Sequence, residues 1–275
     1  RAKPGLDMYG IVEGSLGALE DGYTFRNQRF RFEFDHAFDA VPGYENQDAR
    51  LERGVEASDV LNDGYEFVQS IFGISVDKQL RVVIAPTVRG SASDAYTATQ
   101  WRESGANRSM VEGSETSVLY FGKESFEDRT VLLHEMTHAL LGAYRLPAWF
   151  AEGIATFVEV DRGESKRIDV GKFTIAPIGL DESGHNVIQT WRGHDSALPE
   201  RSLQTYGSAY AIIREIGRRY GTDVYPLFFQ ELLRTKAHLS GSGLSLATII
   251  STFNHVTETD VTPFFEEIAF DLSSL

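Results

Sequence analysis

The stretch His134-Glu135-Met136-Thr137-His138 constrains this chain more than any other. Residues four apart on an α-helix differ by about 40° around its axis, so both imidazoles leave from one side. That spacing suits two nitrogen ligands on one metal ion, with the intervening glutamate beside them rather than on the ion. From Val131 to Ala143 the polar side chains are His134, Glu135, Thr137 and His138, which share one sector of the helical wheel. Val131, Leu132, Leu133, Met136, Ala139, Leu140 and Leu141 fill most of the remainder. A helix this apolar is normally buried, and buried ionisable groups are costly unless paired or bound to a metal. The pattern predicts a site for one zinc ion.

A third ligand is expected from Trp149-Phe150-Ala151-Glu152-Gly153. Pro147 suits the first turn of a second helix, where a missing N–H costs nothing. On that helix Ala148, Glu152, Ala155, Thr156 and Glu159 lie along one side, and Phe150, Ile154, Phe157 and Val158 along the other. The short Gly142–Leu146 turn makes the two helices neighbours. His134, His138 and Glu152 would leave a coordination position open for water, as hydrolytic zinc sites require. Glu135 is then placed as the general base. Charge developing on the substrate oxygen needs a further donor. Tyr206 is the first candidate, followed by Tyr210, His185, His194 and Arg201. Thr156 would either hydrogen-bond a ligand from behind or fill space, and Glu159 is expected on a solvated face.

The 275 residues are enough to bury a sizeable core. A net charge of −14 argues against a nucleic-acid partner, which needs a basic surface. No apolar run approaches the length of a membrane span. Cysteine is absent, which excludes disulfides, thiolate ligands and a cysteine nucleophile. The sequence starts at Arg1 rather than Met, consistent with a removed secretory signal, so a secreted or periplasmic location is the expectation. A peptide or protein substrate and a monomeric state are expected.

Along the chain, residues 1–22 read as an irregular lead-in with at most a short strand. Tyr23 to Asp35 has period two, with Phe30, Phe32 and Phe34 alternating with Arg29, Arg31 and Glu33, the pattern of a half-buried strand. Ala49 to Phe72 has helical spacing and closes at Gly73. Leu80 to Ala85 reads as a central strand and Ser117 to Phe121 as another, with 87–113 mostly loop between them. The motif helix is expected to start near Ser125, where Ser125 to Asp128 resembles a capping box. After the second helix, Arg167 to Ile175 alternates like a strand and leads into a hairpin and a long excursion. Helices are then expected over Leu203–Tyr220, Asp223–Thr235, Leu244–Phe253 and Pro263–Leu272. The fold class is α+β: a small mixed sheet whose edge strand packs on the HExxH helix, followed by a mostly helical C-terminal lobe. We expect a single unit over 1–275, with approximate lobes 23–145 and 146–275.

HExxH followed by W-x-x-E-G-x-A resembles the gluzincin metallopeptidases, specifically the compact peptidase MA-like proteins. The segment W-F-A-E-G-I-A-T-F-V-E is also similar to the corresponding helix of the neutral aminopeptidases. The resemblance covers about residues 24–235 and reaches the Tyr206-Gly-Ser-Ala-Tyr210 helix. It implies zinc on His134, His138 and Glu152, with Glu135 as general base. It also implies that Ser117–Phe121 is the edge strand on which an extended peptide lies. Thirteen residues separate His138 from Glu152, fewer than in thermolysin-like enzymes and the aminopeptidases. The G-x-M-E-N segment that anchors a free amino terminus in the aminopeptidases is absent. A metzincin is excluded, because its third histidine and glycine would fall on Tyr144 and Leu141.

Three functions fit these residues. The first is a zinc endopeptidase. The second is an aminopeptidase with the same metal site, in which Glu112 or Glu115 would bind the substrate's α-amino group. The third is a non-catalytic binding module that retains the metal-holding helices.

Overall fold

The computed structural model describes residues 17–19, 22–99, 101–104, 107–110, 117–165, 169, 172–193, 202–239 and 243–275. In chain order the elements are β1 (Gly17–Leu19), β2 (Gly22–Arg26), β3 (Phe30–Asp35), α1 (Gln47–Phe72), β4 (Leu80–Ile84) and β5 (Ala95–Thr99). The hairpin β6 (Trp101–Ser104) and β7 (Asn107–Met110) comes next, then β8 (Ser117–Phe121), α2 (Lys123–Phe126) and α3 (Arg129–Leu141). The remainder is helical: α4 (Ala148–Asp161), α5 (Ser202–Tyr220), α6 (Val224–Thr235), α7 (Leu246–Thr257) and α8 (Thr262–Glu267). Two units separate by their internal contacts. One holds Arg1–Glu66, Ser75–Trp101 and Met110–Leu140; the other holds Phe67–Ile74, Arg102–Ser109 and Leu141–Leu275.

The first unit is built on a mixed six-stranded sheet in the order β1-β2-β3-β4-β8-β5. The alternation of Phe30, Phe32 and Phe34 holds in β3, where all three are buried. The expected strand from Tyr23 is two strands, however, because Asn27 turns the chain. Its Oδ1 accepts from the N–H groups of Arg29 (2.8 Å) and Phe30 (2.6 Å), the local bond by which Asn replaces a backbone turn. β2 and β3 therefore pair antiparallel, with Phe25 opposite Phe32. Phe32 is in register with Val82, and Val82 with Leu119, across parallel β3, β4 and β8. These residues form a continuous apolar face. The Phe126 ring lies on it, 5.7 Å from Phe34 and 6.2 Å from Phe121.

Ser117–Phe121 is not the edge strand. It pairs parallel with β4 on one side and antiparallel with β5 on the other. Among the described strands the edge is β5, within the stretch expected to be mostly loop. Its Tyr-Thr-Ala-Thr core carries strand-forming residues, but Ser, Gly and Asp before it hide so short a pattern.

The motif helix α3 starts later than Ser125. Asp128 caps it, its Oδ1 accepting from the N–H and hydroxyl of Thr130 at 2.8 and 2.7 Å. Ser125 instead lies on α2, and its hydroxyl donates to the Asp94 carbonyl at 2.9 Å. α1 approaches α3 closely at Gly64, where a Cβ would come within 2.2 Å of Leu133 Cδ2.

In the second unit, α4 is the central helix. Trp149, Phe150, Ile154, Ala155 and Val158 are buried, and Phe150 meets Phe228 and Phe253 at 5.4 and 6.1 Å. Gly153 admits the α5 backbone, since a Cβ there would lie 2.7 Å from the Ala209 carbonyl oxygen. No strand forms among the described residues of 167–175, and the expected hairpin reduces to one antiparallel bridge between Leu180 and Asn186. The following loop is tied to the C-terminal segment. Asn186 donates its N–H to the Ala269 oxygen (2.7 Å) and its side-chain amide to the Ile268 oxygen (3.0 Å). Gln189 exchanges bonds with the Asp271 backbone at 3.2 and 2.6 Å. The last two helices differ from expectation in their bounds: α7 runs on to Thr257, and α8 ends at Glu267. Among the described residues no helix is long and apolar enough to cross a membrane.

Gly153→Ala should test the helix contact. In an open helix this change stabilises by about 1 kcal/mol. Here the new methyl meets backbone that cannot swing aside, so we expect a net loss of about 1–3 kcal/mol in chemical denaturation. A variant as stable as the wild type would disprove the close approach.

Candidate metal centre

His134 and His138 leave α3 on the same side, as their spacing requires, with ring centroids 4.8 Å apart and planes at 72°. Their Nε2 atoms are 3.1 Å apart. Two nitrogens bonded to one tetrahedral zinc at ~2.05 Å stand ~3.3 Å from each other, so the pair is set for a shared ion. After α3, a 3-10 turn spans Gly142–Tyr144, Arg145 takes a left-handed conformation (φ 53°) and Pro147 caps α4. Glu152 follows on the second turn of α4. His134, His138 and Glu152 each offer a ligand atom, and these atoms all lie within 4.8 Å of one another. All three side chains are half-buried. Two imidazoles and a carboxylate are the donor set of a hydrolytic zinc site, and the residues fit the ion.

Glu135 is only 9 % exposed. Thr97 on β5 reaches it: Thr97 Oγ1 is 2.8 Å from Glu135 Oε2 and 2.9 Å from the Glu135 main-chain oxygen. This contact was hidden from sequence reading because Thr97 falls in the stretch expected to be loop. Gly193 was missed as well. Its φ is +91°, a region favouring glycine, and a Cβ there would stand 3.6 Å from Glu152 Oε1.

The expected donors fall in different places. Tyr206 on α5 is buried, and its ring meets Trp191 edge-on at 5.1 Å. The Tyr210 hydroxyl lies 3.4 Å from Asp161 Oδ1 and is committed there. Burial raises the Tyr210 pKa, and the Asp161 charge raises it further. Burial likewise raises the Asp161 pKa, against the Tyr210 hydrogen bond. His185 lies on the turn after Leu180, with Asp181 and Asp271 each 4.0 Å from a ring nitrogen. His194, Arg201, Glu112 and Glu115 lie outside the described residues.

On α4 the two alternatives for Thr156 are narrowed to one, and the expectation for Glu159 is corrected. Thr156 is fully buried, and its hydroxyl makes no hydrogen bond among the described residues, so it fills space rather than supporting a ligand. Glu159 is 2 % exposed rather than solvated. It accepts a bond from the Ser165 hydroxyl at 2.8 Å, which offsets part of the cost of burying a carboxylate.

No family model matches the chain, and no curated protein does. Among solved structures, the fold is similar to the crystal structure of Legionella pneumophila aminopeptidase A in complex with aspartic acid. The TM-score is 0.51 at 16% identity, over 90% of this chain and 27% of that one. The chain thus spans about a quarter of that protein's length, and the likeness is one of fold.

A ligand that binds only the folded state stabilises it, by about 2.7 kcal/mol at a hundredfold excess over Kd, and so raises the unfolding midpoint. Zinc should therefore raise the midpoint of the wild-type chain, and a chelator should reverse the shift. Glu152→Ala should weaken zinc by more than the ~10–100-fold typical of losing an outer partner. An unchanged zinc affinity on calorimetry would remove Glu152 from the ligand set.

Proposed function

We propose that this chain is a zinc-dependent peptidase of the aminopeptidase type, with His134, His138 and Glu152 holding one ion. The single observation that carries the reading is the His134–His138–Glu152 group with the buried Glu135 on the same helix as its imidazoles. Zinc bound there would make a water acidic enough to ionise near neutral pH and would polarise the scissile carbonyl. Glu135 takes the proton from the attacking water and returns it to the leaving amine. The Tyr206 hydroxyl donates a hydrogen bond to the oxygen on which charge develops and keeps its proton. Its burial against Trp191 limits the positions that hydroxyl can take.

The choice of aminopeptidase over endopeptidase is supported by the likeness of fold to an aminopeptidase. Such an enzyme needs a carboxylate for the substrate's α-ammonium group, and Glu112 and Glu115 are our candidates. An extended substrate would add to the sheet at β5, the edge strand.

Glu135→Gln should retain zinc while losing about 10²–10⁴-fold in kcat, the usual contribution of a positioned base. Tyr206→Phe should retain zinc and lower kcat about 10–100-fold. A matched pair of peptides, one free and one acetylated at the amino terminus, decides between the peptidase readings. Cleavage of the free peptide alone is the expected result; cleavage inside both would make the chain an endopeptidase. A zinc-loaded chain that cleaves neither would be a binding module.

A further inference from the structure

Thr97 lies outside the metal-holding helices, yet its hydroxyl stands at hydrogen-bond distance from two oxygens of one residue. Glu135 Oε2 is 2.8 Å away and the Glu135 main-chain oxygen 2.9 Å. A threonine hydroxyl has one proton, so it either shares it between these acceptors or gives it to one. Giving it to the main-chain oxygen would only pin β5 to α3. Giving it to Oε2 fixes the rotation of the carboxylate and leaves Oε1 as the oxygen that meets a proton.

The main chain at this residue bears on substrate as well. Gly122 donates its N–H to the Asp94 oxygen at 2.9 Å, which makes Asp94 and Gly122 a bonded pair in the antiparallel ladder. Hydrogen-bonded and non-bonded pairs alternate along such a ladder, and Ala95 pairs with Phe121 and Thr97 with Leu119. Ala95, Thr97 and Thr99 therefore turn their N–H and C=O groups away from β8. In that direction no strand pairs with β5 among the described residues.

Resting on the hydrolase reading given above, we infer that Thr97 is a positioning residue that couples the sheet edge to the general base. Its side chain holds the Glu135 carboxylate, while its main chain is the point at which an extended substrate bonds to β5. The geometry needs no further group: the hydroxyl donates, the carboxylate accepts, and no proton leaves threonine during the reaction. Glu135 sits next to a metal ligand on a short polar sector, so a free carboxylate would sample several rotamers. One fixed bond removes most of that freedom before substrate arrives.

Thr97→Val removes the hydroxyl at nearly constant shape, and Thr97→Ser keeps it. With the zinc-loaded chain and an unblocked peptide long enough to cover β5, Thr97→Val should lower kcat about tenfold. KM should stay within about twofold, because the outward main chain of β5 is intact. Thr97→Ser should restore kcat. Wild-type kcat in Thr97→Val, or a loss that serine does not restore, overturns the inference.

A second measurement needs neither metal nor hydrolysis. In metal-free protein, Thr97→Val should lower the unfolding midpoint less in a Glu135→Ala background than in the wild type. Equal shifts in both backgrounds would assign the hydroxyl to the main-chain oxygen alone and overturn the inference. A wild-type chain that cleaves no peptide would instead defeat the hydrolase reading, an outcome distinct from a cleaving wild type matched by Thr97→Val.

Discussion

The candidate centre depends on α3 keeping ionisable side chains on a helix otherwise immersed in apolar contacts. Leu132, Leu133, Met136, Ala139 and Leu140 are each no more than 2 % exposed. Turning the helix by a single residue, about 100°, would drive the imidazoles into that core and bring leucines out. Burying even one unpaired charged group costs several kcal/mol, so the orientation is strongly selected. Leu133 packing into the space left by Gly64 fixes it mechanically. Thr137, the remaining polar residue of the sector, satisfies itself by donating to the Leu133 oxygen at 2.7 Å, a back-bond typical of helical threonine. The two histidines and Glu135 are thereby the ionisable groups of this sector, with Glu135 held by Thr97.

Around Glu152 the same economy of side chains is visible in the glycines. Gly153 lets the α5 backbone approach α4, and Gly193 supplies the positive φ of +91° where the chain passes Glu152 Oε1. The loop bearing Gly193 is held from far along the sequence, because Ile268, Ala269 and Asp271 bond Asn186 and Gln189. Trp191 then packs edge-on against Tyr206. The C-terminal residues accordingly set the position of a loop that borders a candidate ligand, though none of them carries a ligand atom.

Most of the fold class and the donor set were legible from local patterns. The helical period from Ala49 to Phe72, the apolar strand pattern of Leu80–Ile84 and the HExxH spacing each depend on neighbours within a few residues. What escaped was non-local. Glu159 looks solvated on a helical wheel, and only its bond to Ser165 and the surrounding packing show that it is buried. Asn27 splits what reads as one strand because a side-chain oxygen competes with the ladder. The bounds of α8 failed for a similar reason. Ile268 and Phe270 remain buried past its end at Glu267, so apolar spacing outlasts the helix.

The misplaced edge strand has the largest structural consequence, because sheet order decides which side chain faces Glu135. Thr97 and Leu119 are directly opposed across β5 and β8, so they project from the same face. Were β8 the edge, the residue at this level would be Leu119, fully buried and without a donor. An apolar neighbour would give the Glu135 carboxylate no side-chain hydroxyl to accept from, whereas Thr97 supplies one at 2.8 Å. Adding β5 outside β8 puts a hydroxyl within reach of that carboxylate and, among the described residues, moves the unpaired main-chain groups one strand outward. A single additional strand thus supplies both a hydrogen bond for the buried glutamate and the open edge that an extended chain requires.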